Sequence, residues 1–339
     1  MCDFISLLTL TFYIFIFHSF IHPWIAAQET NCQKARLEVK ASGDLNDVSS
    51  CKSFSGSIII MNLEVREIHL SYLRQVDGDV IVSNLTELKW LDFPVLHSIQ
   101  GTLKLDHNPN LETISVPKLN SIDAMDMNNL PTLKSLSFPA GLSHINHLSV
   151  TDTGITTIDG LSSSSISDIN LAGNLQLNHI SLDQLEQIEY SFYISNNGHQ
   201  LSLNLSSLKR LGQGTFQSLS NIDLHQLHDI HEDLDFAENM MINLSLPMIT
   251  ELPGALTIAN NTKLETLSMP QLMKIDGAFI ITGNHHLNVI DSFSHLEQVG
   301  GSIEIDGQFA DLQLPKLHEV FQYKKKKKKK FMSFCFIIT

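Results

Sequence analysis

A unit of about 22 to 24 residues recurs between Gly56 and Ile305, and each copy contains a short segment in which two apolar residues flank a third. The residue between them is often polar, as at Lys104, Asp126 and Ser149. This alternation predicts a strand with one face in the protein interior and the other in solvent. The apolar pairs are Ile58/Ile60, Val80/Val82, Leu103/Leu105, Met125/Met127, Leu148/Val150, Ile169/Leu171, Phe192/Ile194, Ile222/Leu224, Leu234/Phe236, Leu256/Ile258, Phe279/Ile281 and Ile303/Ile305. Because no single unit can bury its own apolar face, the repetition predicts a solenoid of stacked units.

Two further columns of residues keep the same phase and mark features of each coil. Proline lacks the N–H that an interior sheet ladder needs, so the recurring prolines predict corners. These prolines are Pro94, Pro117, Pro139, Pro247, Pro270 and Pro315. Asparagines that stand three residues before a leucine predict a ladder of stacked side-chain amides where the chain bends inward. These asparagines are Asn108, Asn174, Asn261 and Asn284.

The spacers between the predicted strands are typical of short strands and corners rather than of helices. We therefore predict an all-β, right-handed parallel β-solenoid of about 12 coils, with parallel sheet on at least two sides. The solenoid covers residues 56–320, and a loss of regularity near residues 162–166 indicates a seam between two sub-solenoids.

The two ends of the sequence differ in composition from the repeats. Residues 1–27 form an apolar run that ends near Ala26 and Ala27, which predicts a secretory signal peptide. No Lys or Arg precedes that run, so an uncleaved signal anchor is the alternative. Residues 321–339 form an atypical tail with lysines from Lys324 to Lys330. We interpret this tail as non-native sequence, with a basic patch for acidic lipid as the alternative.

Cys32 and Cys51 stand just before the first repeat, at the open end of the predicted solenoid. We predict that residues 28–55 form an N-terminal cap closed by a disulfide between these two cysteines, because a secretory route is oxidising. Two buried free thiols are the alternative. By the loop-entropy estimate such a bond contributes roughly 3 kcal/mol.

The charge of the repeats restricts the class of partner. The formal net charge is −14, although the lysine run of the tail is included in that value. The remainder is therefore still more acidic, and it repels phosphate backbones. We expect no nucleic-acid partner, and an acidic body suits a soluble extracellular protein.

Motifs that carry catalysis, metal binding or cofactor binding are missing from the sequence, so we predict no catalytic residues, no metal and no cofactor. The nearest metal candidate is the group His225, His228 and His231. This segment bridges two predicted strands rather than one helix, so we interpret these residues as surface histidines that point in different directions.

A carbohydrate-active β-helix enzyme, a polysaccharide hydrolase or lyase, is the main alternative to a non-enzymatic protein. Such an enzyme needs carboxylates that converge on one exposed face. Asp223, Asp233 and Asp235 are the candidates on neighbouring coils. Few basic residues accompany them, and an acidic outer face is ordinary for a solvated sheet of this charge. We therefore predict a protein without enzymatic activity.

Four sequons predict N-glycosylation of a secreted chain, at Asn84, Asn204, Asn243 and Asn260. Asn84 and Asn260 adjoin the predicted asparagine ladder, so we expect one or both to be buried and unmodified. Asn204 and Asn243 lie away from it and are the stronger glycosylation candidates.

With these features the chain resembles the fungal GPI-anchored cell-wall organisation proteins that are built from receptor L-domain repeats. The resemblance rests on the segment from Cys51 through Gly56, with its Gly-Ser-Ile-Ile-Ile strand, and on the spacer from Asn261 to Gly277. It covers residues 30 to 320. It implies a receptor L-domain or leucine-rich-repeat-like solenoid in a secreted, glycosylated, non-enzymatic protein of the cell wall or the outer face of the plasma membrane.

The resemblance implies a structural or interaction role in wall organisation and integrity, with wall glycans or wall and membrane proteins as partners. Membrane association would come only through a lipid anchor, and residues 321–339 do not match its signal of small residues, polar spacer and long apolar tail. The predicted interaction face is the exposed strand column with Asp126, Asn170, Tyr193, Asp223 and Asp235. A ligand-binding receptor ectodomain is a third alternative, which requires a transmembrane segment after the repeats.

Overall fold

The computed structural model describes residues 32–322 of the 339-residue chain. These residues form a parallel β-solenoid whose coils have three sides. The predicted signal peptide and residues 323–339 of the predicted tail lie outside the described residues. No helix within the described range is long and apolar enough to cross a membrane.

One side of each coil carries the longest strands, and we call this side the main face. All pairings between its strands are parallel. The main-face strands are Gln33–Val39, Ser53–Met61, Val80–Ser83, Ser98–Asp106, Ser121–Leu130, His147–Thr153, Ser165–Ala172, Gln187–Ser195, Arg210–Gln217, Leu234–Ala237, Leu256–Ala259, Phe279–Thr282 and Gln298–Asp306. The predicted all-β solenoid is therefore confirmed.

The other two sides carry shorter parallel strands. The second face, which follows the main face in each coil, contains Glu67–His69, Trp90–Asp92, Thr113–Ser115, Ser135–Leu142, Thr157–Leu161, His179–Ile180, Ser202–Asn204, Asn221–Asp223, Asn243–Ser245, Thr266–Ser268, Val289–Ile290 and Asp311–Leu312. The third face contains Gln75–Val76, Asp229–Ile230, Glu251–Leu252, Lys274–Ile275 and Glu319–Gln322, and the first residues of several main-face strands complete it. The solenoid thus has sheet on three sides.

The N-terminal segment contributes a coil of its own. The strand Gln33–Val39 pairs in parallel with Ser53–Met61, and it is followed by the 3₁₀ helix Ser42–Leu45 and the short helix Asn46–Ser49. Val48 and Cys51 are buried beneath these turns. The first repeat therefore stacks on an earlier strand, which the sequence pattern did not reveal.

The apolar pairs of the repeats point inward and stack in register from coil to coil. Ile58 lies opposite Val80, and Val80 lies opposite Leu103. The pair Ile222/Leu224 is an exception to the prediction. Ile222 belongs to the second face, because it pairs with Leu203.

In that coil the two inward positions of the main-face strand are Gly214 and Phe216, which lie opposite Phe192 and Ile194 respectively. A Cβ atom on Gly214 would lie 2.6 Å from Cε2 of Phe216, so the phenylalanine ring occupies the space that an inward side chain would fill. The Phe216 ring also contacts the rings of Phe192 and Phe236, with centroids 5.4 and 5.2 Å away.

The predicted asparagine ladder is present, and it is longer than the sequence motif indicated. Asn197 and Asn239 are buried in the same column as the four predicted members. Asn174 donates from Nδ2 to Oδ1 of Asn197, and Asn239 donates in the same way to Asn261, each at 3.0 Å. The sequence motif did not identify these two additional asparagines, because neither has a leucine three residues later.

A left-handed residue precedes the ladder position in consecutive coils and turns the chain from the main face towards the second face. The backbone φ is positive there, between 51° and 70°. The residues are Asn62, Asn84, His107, Asn129, Asp152, Gly173, Asn196, Ser218, Glu238, Asn260 and Gly283. Asparagine, aspartate and glycine tolerate this conformation best, which explains the asparagine-rich composition of this corner.

The sheet pairing is continuous through the segment that the sequence indicated as a seam. The strand Ser165–Ala172 pairs with His147–Thr153 on one side and with Gln187–Ser195 on the other. A register irregularity between Ile166 and Asp168 is present, but neighbouring coils stay connected across it.

Candidate functional site

Four of the five predicted interaction residues lie in one line across the main face. Their outward side chains occupy the central position of successive strands, and we call this line the main row. Its register runs Asp126, Ser149, Asn170, Tyr193, Thr215, Asp235. The alternation of inward and outward residues therefore creates a continuous outer surface above the apolar core.

The fifth predicted residue, Asp223, does not belong to this surface. It lies on the second face, opposite Asn204, and its Oδ1 is 2.8 Å from Nδ1 of His225. The prediction was wrong because Gly214 breaks the apolar pattern of the main strand. The next matching alternation, around Ile222, lies on the following side of the coil.

Tyr193 is the aromatic residue of the main row, and its side chain is 41% exposed. Its hydroxyl accepts a hydrogen bond from Oγ of Ser195 at 3.0 Å. On the neighbouring strand, Oδ1 of Asn170 is shielded from solvent and has no hydrogen-bond partner among the described residues. An acceptor in that state is destabilising until a donor reaches it.

Asp235 is half-buried and lies at the end of the main row that is opposite to Asp126. Burial, together with the charge of Asp233, raises the pKa of its carboxyl group. Its Oδ1 also has no hydrogen-bond partner among the described residues. The small side chains Ala237 and Ala255 lie on the same outer face beside it, so the surface around this carboxylate is shallow.

Asp126 differs from Asp235 because it has a cationic partner. Nζ of Lys104 lies 2.8 Å from its Oδ2. The hydrogen bond to Asp126 raises the pKa of Lys104, which favours the charged ammonium group. Asp126 therefore contributes little free charge to the main row.

The carboxylates considered for catalysis do not converge as a group. Asp223 lies on another face. Asp233 and Asp235 are close in sequence on one face, but Oδ1 of Asp233 accepts the backbone N–H of Ala255 at 2.6 Å.

The histidines of the metal candidate each have a separate neighbour. Nδ1 of His225 faces Asp223, Nδ1 of His228 is 2.9 Å from the Gln226 carbonyl oxygen, and Nε2 of His231 is 3.5 Å from Asp229. Within residues 32–322, no cluster of three or more histidine, cysteine, aspartate or glutamate side chains has a geometry suited to a metal ion.

All four sequon asparagines lie on or beside the second face. Asn204 and Asn243 belong to second-face strands, and both are exposed. Asn84 and Asn260 occupy the left-handed corner, with φ of 56° at each, and they are also exposed. The expected burial of Asn84 or Asn260 is therefore wrong, because the residue after each of them, and not the sequon asparagine, turns inward.

The two cysteines before the first repeat are joined in the structure. Their Cα atoms are 5.7 Å apart and their Sγ atoms form a disulfide. Cys51 is buried in the core, and Cys32 packs against it from the edge.

Comparison with known proteins gives relatives from fungi. Cell wall protein ecm33 of Schizosaccharomyces pombe is 28% identical over 241 residues, which are 70% of this chain and 57% of that protein. Sporulation-specific protein 2 of Saccharomyces cerevisiae is 28% identical over 292 residues, 85% of this chain and 58% of its own length. Protein ecm33 of Aspergillus fumigatus is 29% identical over 304 residues, 88% of this chain and 76% of that protein. The chain thus spans less than two thirds of the length of the first two relatives.

No protein-family model matches the chain. Among solved structures, a leucine-rich repeat protein from Bacteroides ovatus covers 69% of this chain and 78% of its own, with 14% sequence identity and a TM-score of 0.30. The parallel strand pairing of residues 32–322 itself defines the fold.

The chain is a parallel β-solenoid, and its relatives are named as fungal cell wall proteins and as cell surface GPI-anchored proteins. These relatives confirm the resemblance of the chain to the fungal Ecm33 family.

Proposed function

We propose that this protein is a non-enzymatic structural and interaction module of the fungal cell wall or outer cell surface, and that the main face binds its partner. The names of the relatives support a role in the wall. Their GPI-anchored members support a lipid anchor as the means of any membrane attachment. Glycans and proteins of the wall are the two partner classes that fit the surface.

The observation that carries this proposal is the placement of the sequons. Each sequon asparagine lies on the second face or at the corner that leads to it, and within residues 32–322 none is an outward residue of a main-face strand. Glycans attached at these positions would project from the second face and its corner, and they would leave the main face open. A broad sheet surface without sequons is suited to contact with a large partner.

The chemistry of the main row supports recognition by hydrogen bonds. Tyr193 provides a half-exposed aromatic ring, and Tyr190 on the same strand is 65% exposed. Asn170 and Asp235 each hold an acceptor oxygen that lacks a partner among the described residues. A hydroxyl-rich glycan or a protein with exposed donors satisfies these acceptors while it covers the tyrosines.

Binding of the purified chain to isolated fungal wall material tests this proposal. The variant Asn170→Ala/Tyr193→Ala removes one unpartnered acceptor and the central aromatic ring. We expect binding to fall about tenfold, which corresponds to the loss of one aromatic contact and one hydrogen bond. The variant Tyr72→Ala is the matched control, because Tyr72 is 63% exposed at the corner between the second and third faces.

Circular dichroism must show the same fold in all three proteins. Equal binding by the main-row variant and the control would exclude the main row as the binding surface. Treatment of the wall material with protease or with glucanase then separates a protein partner from a glycan partner.

A carbohydrate-active enzyme is the second candidate, and the raised pKa of Asp235 beside Asp233 is the observation that favours it. A raised pKa favours the protonated carboxyl group that a general acid needs. Release of reducing sugar from wall polysaccharides tests this candidate. Activity that disappears in Asp235→Asn and persists in Asp126→Asn would establish it, and equal rates for wild type and Asp235→Asn would exclude it.

A further inference from the structure

A second surface, on the second face near the N-terminus, combines an exposed aromatic ring with polar side chains. Trp90 is 45% exposed on the middle strand of three. In register, Glu67, Trp90 and Thr113 form one outward line. A parallel outward line contains His69, Asp92 and Ser115. These two lines border a shallow depression of about 360 Å³, which we call the Trp90 depression.

The side chains in and around the Trp90 depression make polar and cation–π contacts with one another. Nδ1 of His69 is 2.7 Å from Oδ2 of Asp92. Nζ of Lys89 lies 5.9 Å from the centroid of the Trp90 ring and 2.8 Å from Oε1 of Glu112. These contacts restrict the orientation of the surrounding side chains, so less conformational entropy is lost when a ligand binds.

We propose that the Trp90 depression binds a neutral pyranose oligosaccharide. The indole face suits the apolar C–H face of a sugar ring, while the carboxylate, imidazole and hydroxyl groups around it suit sugar hydroxyls. The strands are spaced by about 4.7 to 4.9 Å, close to the length of one unit in an extended sugar chain. Successive sugar units therefore meet equivalent positions on successive coils.

Charge selects against acidic ligands at this surface. Glu67 and Asp92 both border the depression, and the whole chain has a net charge of −14. Lys89, whose Nζ lies 5.9 Å from the centroid of the Trp90 ring, is paired with Glu112. Phosphorylated, sulfated or uronic acid glycans are therefore repelled, and neutral sugars remain.

A protein partner fits the depression less well than a sugar. The other apolar residues that line it, Ile68 and Leu91, are each only 1% exposed because their side chains point into the core. Trp90 is thus a single aromatic residue within a polar surface. A protein hot spot instead needs a desolvated centre with further apolar neighbours around it.

The sugar has two conceivable sources with the same chemistry. One is a separate polysaccharide, and the other is an N-glycan on Asn84, which lies in the same coil six residues before Trp90. Asn84 is exposed at the left-handed corner that leads to the Trp90 strand. The variant Thr86→Ala separates these sources, because it removes the sequon and leaves the backbone carbonyl that accepts from Asn110.

Tryptophan fluorescence gives a local signal for the test, because the chain has only two tryptophans. In a full-length Trp24→Phe background, emission comes from Trp90 alone. Titration with laminaripentaose, chitopentaose or mannopentaose should shift this emission to the blue and saturate for one of them. Polygalacturonate is the anionic comparison, and it should leave the emission unchanged.

The affinity of the active oligosaccharide is then measured by calorimetry on the full chain with its native Trp90. We expect about tenfold weaker binding in Trp90→Ala and intermediate binding in Trp90→Phe. Val289→Ala should bind like wild type, since Val289 is 42% exposed at the equivalent second-face position of a distant coil. If a glycan on Asn84 occupies the depression, binding of added sugar appears only in Thr86→Ala, which also supports the proposal.

Two results would overturn the proposal. The first is equal affinity of the Trp90→Ala variant and its Trp90 parent in the background that binds the sugar, wild type or Thr86→Ala. The second is no response to any of the three neutral pentasaccharides, with or without the Thr86→Ala change. Because Tyr193 and Asn170 lie on a different face, failure here leaves the proposed role of the main face untouched.

Discussion

Asn261 donates from Nδ2 to Oδ1 of Asn284 in the next coil, at a distance of 3.1 Å. The same Nδ2 donates to the carbonyl oxygen of Phe236 at 2.8 Å. Oδ1 of Asn261 accepts from the backbone N–H of Asn239 at 3.0 Å. One buried amide thus satisfies backbone groups of two earlier residues at the point where the chain turns inward, and it links neighbouring coils.

Replacement of Asn261 by alanine should lower the free energy of unfolding by about 3 kcal/mol, because the Asn239 N–H and the Phe236 carbonyl lose their partners inside the core. Urea denaturation measures this change. Asn110→Ala is the control, since Asn110 is exposed and donates a single side-chain hydrogen bond to the Thr86 carbonyl. Equal effects of the two substitutions would contradict a stabilising ladder.

Replacement of Gly214 by alanine should destabilise the protein by about 1 to 3 kcal/mol, because the new Cβ overlaps the Phe216 ring. Thermal unfolding of Gly214→Ala, Phe216→Leu and the double variant measures the coupling between these residues. The double variant should be more stable than the sum of the single changes indicates.

Gly43→Ala is the matched control for that experiment, because a Cβ atom on Gly43 meets nothing within 4 Å. Additive effects of Gly214→Ala and Phe216→Leu would show that the ring does not fill the glycine position.

Removal of the disulfide in Cys32→Ser/Cys51→Ser should lower stability by about 3 kcal/mol, as expected for a bond between residues 19 apart in sequence. The loss should be concentrated at the N-terminal end of the solenoid. Hydrogen exchange should therefore rise in the strand Gln33–Val39 and remain slow in Leu256–Ala259. A uniform rise in both strands would contradict a local capping role.

Asp235→Asn should stabilise the protein at neutral pH, because burial and the charge of Asp233 raise the pKa of Asp235 and so disfavour its ionised form in the folded state. Below the ordinary aspartate pKa, about 3.9, the wild-type carboxyl group is protonated in the folded and unfolded states alike. The advantage of the variant should therefore be full at pH 7 and vanish as the pH falls below about 4.

Melting temperatures at the two pH values measure this dependence. Glu87→Gln serves as the control, because Glu87 is exposed outside the main row. A melting temperature for Asp235→Asn that lies below wild type at both pH values would contradict the expected sign.

The sequence was informative wherever one residue type was required at a fixed period. Apolar pairs such as Ile58 and Ile60 revealed the main strands, because an inward position tolerates little else. The ladder was recognised from Asn108 and three similar residues, but Asn197 and Asn239 were missed. Their burial follows from their place after a left-handed residue, and that relation is visible only in the backbone.

Trp90 was overlooked because a single tryptophan in a sequence has no periodic partner. Its importance comes from Glu67 and Thr113, which the coil places on either side of it at a distance of one strand spacing. Residues about 23 positions apart in sequence thus share one surface only after the chain has completed a turn.

The sequence by itself determined the solenoid, its period and its inward columns, because burial of alternate residues imposes a pattern that can be read locally. Tertiary structure alone decided which side of the coil each outward residue occupies. Asp223 lies on the second face and not on the main face. The inward main-face position of its coil belongs to Gly214, and the ring of Phe216 fills the space that a side chain there would occupy. The exposure of Asn84 and Asn260 was likewise decided by a positive φ at the corner, which directs the following residue into the core.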